Sequence, residues 1–184
     1  MLRWLWLSLA VLVIDQITKQ LADALLTYMQ PVALLPLFNF TLMYNSGAAF
    51  SFLSDAGGWQ RWFFTAIALT VSTALVIWIT RLQRQQWPLA MALALILGGA
   101  IGNLIDRLIF GHVIDFIDIY YQQWHWPAFN VADAAISIGA ALLLIDTLFG
   151  GEPVTPDKSG NPAPLSGQEK GAKKEAAGKK ENKS

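Results

Sequence analysis

Four separate runs of this chain are apolar over about 20 residues each, the length of helix needed to cross a bilayer. They cover roughly residues 4–26, 59–80, 88–109 and 131–149. A segment in lipid must satisfy its own backbone hydrogen bonds, so four transmembrane helices are predicted. Composition agrees: charged residues are 14% of the 184-residue chain, against roughly 25% in ordinary soluble domains. The first run begins as a secretory signal would, with Arg3 ahead of apolar residues. Asp15, Lys19 and Asp23 interrupt it, however, and no small-residue cleavage site follows promptly, so it reads as a retained helix.

The few charges are unevenly placed. Residues 1–150 carry six basic residues and eight aspartates, a net −2, and the last 34 residues supply the compensating +2. No basic groove results, so nucleic acid is not an expected partner. Arg3, Arg81 and Arg84 flank one side of the spans, together with the Lys-rich tail. The connections on the other side, 27–58 and 110–130, contain no Lys or Arg. The positive-inside rule therefore places both termini in the cytoplasm and both long connections outside. Trp59, Trp62, Trp87, Trp124 and Trp126 fall near the expected interfaces, as an aromatic belt would.

The long connections are not plain linkers. Residues 37–44 and 112–121 are rich in β-branched and aromatic side chains, which predicts a small extracytoplasmic sheet resting on the membrane. Asn45-Ser46-Gly47 supplies turn chemistry at the end of the first of these runs. The fold expected is all-α and polytopic, with that sheet as its only β component. Residues 1–150 would form the membrane domain. Residues 151–184, made of Pro, Gly, Lys, Glu and Ala, would form a disordered cytoplasmic tail.

Function is sought among the polar residues that interrupt this apolar body, since a carboxylate at a bilayer is costly unless paired or working. Asp115 lies between Ile114 and Phe116 close to the expected membrane surface, where desolvation should raise its pKa. Asp118, three residues on, must point to the other face of a strand and is taken as solvent-facing or structural. Asn130 can cap the fourth helix with Asp133 in its first turn. A helix N-terminus favours an ionised Asp133 while Asp115 stays protonated, the separation that acid/base work needs. Asp15, Lys19 and Asp23, spaced i, i+4, i+8, form a charge ladder on one face of the first helix. Lys19 and Asp23 read as a self-neutralising stripe facing the bundle interior; Asp15, deeper, is harder to dismiss as structural. Gly98 and Gly102 form a small-xxx-small pair suited to close helix approach. Gly99, Asn103 and Asp106 share a face, with Arg107 adjoining, and are expected to brace the mouth of a site through an ion pair and hydrogen bonds. The Asn45 amide suits a turn or a peptide carbonyl equally.

There is no Cys, which removes disulfides, thiolate metal sites and a thiol nucleophile. His112 and His125 are the only histidines and lie in no metal-ligand spacing, so neither metal nor cofactor is expected. Two carboxyls without a competing nucleophile suggest a shared-proton pair. The rival reading is a non-enzymatic transporter or assembly factor with a polar intramembrane stripe.

Five segments in order carry a resemblance: Asp15 to Lys19, Asn45 to Phe50, Gly98 to Arg107, Val113 to Phe116 and Phe129 to Asp133. Together with four spans they resemble the bacterial lipoprotein signal peptidases, also called signal peptidase II. The resemblance implies an aspartic endopeptidase of the inner membrane, with Asp115 and Asp133 as the catalytic pair. Asn45, Gly99, Asn103, Asp106, Arg107 and Asn130 match supporting polar positions. Asp15 and Lys19 match the first motif, expected to serve fold integrity. The substrate implied is a prolipoprotein bearing diacylglycerol on its lipobox cysteine and cut just before that residue. The enzyme is expected to be a multi-pass monomer working in contact with membrane lipid, its site at the outer face.

Overall fold

A computed structural model describes residues 1–47 and 58–149. A short 3-10 turn, Leu2–Trp4, leads into α1 (Leu5–Leu25); β1 (Val32–Leu35) and β2 (Phe38–Asn45) follow. Next come α2 (Trp59–Arg81), α3 (Trp87–Ile109), β3 (Val113–Tyr121), β4 (Trp124–His125) and α4 (Val131–Phe149). All four helices are long and apolar enough to cross a membrane. Their bounds lie within a residue or so of those read from hydropathy. The tail expected over 151–184, and Ala48–Phe50 of the second motif, lie outside the described residues. Met1–Leu148 is one compact unit; of the second, Phe149–Ser184, only Phe149 is described.

Polarity in the bundle is inverted relative to a soluble domain. Leu21 and Leu144 are more than half exposed while Asp15, Lys19 and Asp106 are fully buried. An apolar rim around a charged interior is stable only where lipid supplies the surroundings. The apolar window of α3 is 61% buried, against 17–28% for the other three helices, so α3 is the central helix. Towards the end where α2 stops and α3 starts, Leu75 and Ile79 of α2 pack on Leu89, Leu93 and Leu97 of α3.

Lipid tails are as apolar as leucine, so helix association in a membrane depends on close packing and on hydrogen bonds between helices. Two adjacent glycines of α3 provide the closeness. A Cβ at Gly98 would lie 2.7 Å from the Ser8 carbonyl of α1, and a Cβ at Gly99 would collide with the Ala132 carbonyl of α4. The α1 contact is pinned by the Ser8 hydroxyl, which donates to the Ala94 carbonyl at 2.8 Å.

The sheet is antiparallel, ordered β1-β2-β3-β4. β2 and β3 are the two expected strands, and they pair with each other: Phe40 opposes Ile117 and Met43 opposes Asp115. Between those pairs β2 holds one more residue than β3, a bulge that bends the strand. The short outer strands β1 and β4 were not anticipated. After β4 the chain returns along β3: the Trp126 amide donates to the Ile119 carbonyl, and the Phe129 and Ile117 amides exchange bonds with each other's carbonyls. This return delivers the start of α4 beside Asp115.

Candidate active site

α4 begins with a reciprocal cap. The Asp133 amide donates to Asn130 Oδ1 at 2.9 Å, and the Asn130 amide donates to Asp133 Oδ2 at 3.2 Å. Asn130 is fully buried, and its Nδ2 donates to Asp115 Oδ1 at 2.7 Å. One asparagine therefore links both candidate catalytic carboxyls. It caps the helix that carries Asp133 and holds the carboxyl of Asp115, so the capping and functional readings of this motif coexist.

Asp133 Oδ1 accepts a second bond, from Asn103 Nδ2 at 2.7 Å. The orientation of that amide is set from behind. Lys19 Nζ donates to Asn103 Oδ1 at 2.8 Å, and an ammonium can only donate, so the Asn103 nitrogen must face Asp133. Lys19 itself bridges Asp15 and Asp106, each at 2.9 Å. Asp15 also accepts the Ala132 amide at 2.8 Å, an otherwise unpartnered donor in the first turn of α4. Asp106 accepts the Ile114 amide of β3 at 3.2 Å. This buried ion triad joins α1, α3, α4 and β3, the elements that carry the two aspartates. Gln16 adds bonds from its Nε2 to Asp106 at 2.9 Å and to Asp15 at 3.3 Å. Its place beside Asp15 is the one signal for it in the sequence.

One expectation is corrected: Asp23 does not face the bundle interior but is exposed and accepts the Tyr44 hydroxyl at 2.7 Å, because the stripe turns outward beyond Lys19. Asp118 does point away from Asp115, and of its two expected readings the structural one agrees with its burial. It accepts bonds from Thr41 at 2.9 Å, Asn39 at 3.3 Å and His125 at 2.8 Å. The ion pair expected of the Gly99–Arg107 stripe forms between Asp106 and Lys19, while Arg107 donates to the carbonyls of Asn103 and Gly47, both at 3.2 Å. The Asn45 amide is already engaged, giving a bond to Asp115 Oδ2 at 3.1 Å and accepting one from the Gly47 amide at 3.0 Å.

Asp115 and Asp133 line one cavity of about 490 Å³, with Asn45, Asn103 and Arg107 at its polar end and Phe129 and Ile136 among its apolar walls. Burial pushes the Asp115 carboxyl up, and the neighbouring Asp133 charge pushes it further, against the bonds from Asn45 and Asn130, to about 7. A second depression of about 280 Å³ shares Asn103, Arg107 and Ile136 with the cleft and runs along Phe64, Ile67, Ala68 and Val71 of α2. Among the described residues no cluster of three His, Cys, Asp or Glu could hold a metal ion.

Four apolar helices, a small sheet at one end and a carboxyl-lined cleft beneath it define a multi-pass membrane enzyme. Residues 7–149 match the family described as "Signal peptidase (SPase) II". The chain is 57% identical over 148 residues to a lipoprotein signal peptidase of Acinetobacter baumannii, covering 80% of this chain and 84% of that one. It is 54% identical over 149 residues to another from Teredinibacter turnerae, covering 81% and 89%. A bacterial membrane enzyme solved by the in meso method at 2.3 Å superposes with a TM-score of 0.71 at 30% identity, covering 83% of this chain and 94% of that one. The chain belongs to the signal peptidase II family, and is thereby a protease and a multi-pass protein of the bacterial inner membrane.

Proposed function

We propose that the protein is an aspartic endopeptidase that removes the signal peptide from diacylglyceryl-modified prolipoproteins, cutting just before the lipidated cysteine. The observation that carries the reading is that Asp115 and Asp133 open on one cavity and are tied to each other through Asn130. No thiol exists in the chain to compete as nucleophile. Asp133 is the base: it sits in the first turn of a helix and receives only donors, from Asn103 and Asn130. Asp115, held protonated up to about pH 7, is the acid.

In the proposed cycle Asp133 takes a proton from water as its oxygen bonds to the scissile carbonyl carbon. Asp115 gives its proton to the carbonyl oxygen, leaving a tetrahedral diol and no acyl-enzyme. The C–N bond then breaks as Asp133 returns its proton to the leaving amine, and Asp115 recovers one from a diol hydroxyl. The pair titrates jointly, so apparent pKa values belong to the dyad. Asn45, Asn103, Asn130 and Arg107 hold the carboxyls and cleft mouth in place. Gly99, Asp106, Asp15 and Lys19 hold the helices that carry them.

The apolar depression along α2 suits the signal helix, and each buried CH₂ of the diacylglyceryl chains contributes roughly 0.8 kcal/mol to keeping the substrate in lipid. Arg3, Arg81 and Arg84 at one end of the bundle support cytoplasmic termini and a cleft on the outer face. A monomer of residues 1–150 suffices for this chemistry. The test is to incubate purified enzyme with a diacylated prolipoprotein and with its unlipidated form. Wild type should cleave the first far faster, and Asp115→Asn and Asp133→Asn should each abolish cleavage while remaining in the membrane. Substantial turnover by either variant would remove the dyad, and equal rates on both substrates would remove the lipid requirement.

A further inference from the structure

One polar cluster lies outside the catalytic network. Asp118, on the face of β3 opposite Asp115, is buried and bonded to the strands on both sides, β2 and β4. Its Oδ2 accepts Thr41 and Asn39 of β2, and its Oδ1 accepts His125 Nδ1 of β4. The His125 ring is half exposed and stacks on Tyr120 with centroids 5.5 Å apart. The His125 bond, beside the backbone pairing of Tyr120 with His125, fastens β4 to β3 immediately before the chain turns back. The next four residues, Trp126, Pro127, Ala128 and Phe129, are all walls of the cleft that holds Asp115 and Asp133. They are otherwise hung from β3 by the Trp126 amide at one end and the Phe129 backbone at the other.

We infer that Asp118 and His125 are a positioning pair: they hold the 126–129 wall in register on β3 and so set how tightly the cleft grips a peptide. The inference rests on the cleft being the cleavage site. Neither residue lines the cleft, so neither takes part in proton transfer. Burial alone would raise the Asp118 carboxyl, but the bonds from His125, Thr41 and Asn39 outweigh it and hold it below the usual carboxylate range. Asp118 is therefore an acceptor at neutral pH. With an acceptor opposite it, the His125 ring nitrogen at 2.8 Å is the donor of this bond.

The experiment compares His125→Phe, which keeps a ring on Tyr120 but loses the donor, with His125→Asn, whose Nδ2 branches from the same carbon as the lost Nδ1. Both are assayed on a diacylated prolipoprotein, and amide hydrogen exchange is followed without substrate. His125→Phe should raise KM about tenfold, the lower end of what a hydrogen bond to a charged group is worth, with kcat within about twofold. Exchange at the Trp126 amide should quicken. His125→Asn should restore both. An unchanged Trp126 amide would overturn the inference, as would a faster amide with unchanged KM, or a fall in kcat alone. Failure of the cleavage-site reading is separate and shows as turnover by Asp115→Asn or Asp133→Asn, whatever His125 variants do.

Discussion

Lys19→Met asks the most of the structure. Lys19 is fully buried and donates three bonds, to Asp15 and Asp106 at 2.9 Å and to Asn103 at 2.8 Å. Met keeps the length and volume of the stem but removes the charge, so the loss is electrostatic rather than a cavity. Removing one partner of a buried ion pair costs about 3–5 kcal/mol, because the remaining charge is left buried and uncompensated. Here two carboxylates lose the same cation, which points to the upper end of that range. A double-mutant cycle with Asp15→Asn isolates the pair: neutralising one acid should recover part of the loss, with a coupling of about 2 kcal/mol. Reversible unfolding in a bilayer mimic measures both quantities. The chemistry should suffer as well, since only the longer bond from Asn130 Nδ2, at 3.3 Å, would then keep the Asn103 nitrogen towards Asp133. Folded Lys19→Met should show kcat at least about tenfold down, the worth of one such bond. A stability cost below about 1 kcal/mol, or a strictly additive cycle, would refute the triad as the element that locks α1, α3 and α4 together.

Three further outcomes follow from the same contacts. Because the Asp115 carboxyl is raised from 3.8 to about 7, the proposed acid is lost on going alkaline, and log kcat/KM should fall with slope near −1 above about pH 7. The folded state keeps a proton that the unfolded chain releases near pH 4, so this group's contribution to stability declines between about pH 4 and 7. Asp115→Asn should flatten that decline in a pH series of unfolding curves. Gly99→Ala should push α4 away from α3, since the new methyl meets the Ala132 carbonyl and lies 2.8 Å from an Ile136 carbon. Asp133 is the next residue along, and a displacement near 1 Å costs roughly 10²-fold in rate; wild-type kcat would show that α4 yields without moving the carboxyl. Truncation after Gly150 should leave cleavage of a diacylated prolipoprotein unchanged in a purified assay, because the described walls of the cleft extend no further along the chain than Ile138.

The four spans were legible because lipid imposes a length and composition on every segment that crosses it, and nothing tertiary can override that. β2 and β3 were legible for a similar reason, being the runs of β-branched and aromatic residues between helices. The return of 126–129 along β3 left no such trace, because it is made of backbone bonds that any side chains can form. The polar residues of the site could be picked out by their rarity in an apolar body, but rarity names candidates without naming partners. Lys19 lies four residues from both Asp15 and Asp23, and spacing alone gave no way to choose. Packing of α1 against Gly98 and Gly102 of α3 chose Asp15, together with Asp106 more than eighty residues away, and left Asp23 on the surface with Tyr44. Asp118 could be placed on the far face of its strand by parity, yet its burial depended on Thr41, Asn39 and His125 converging from neighbouring strands. Local periodicity and solvent preference are properties of neighbouring residues, so the sequence by itself determined the spans, two strands and which polar side chains are candidates for the site. Which oxygen meets which nitrogen depends on distances between segments far apart in the chain, and only the closed bundle decided that.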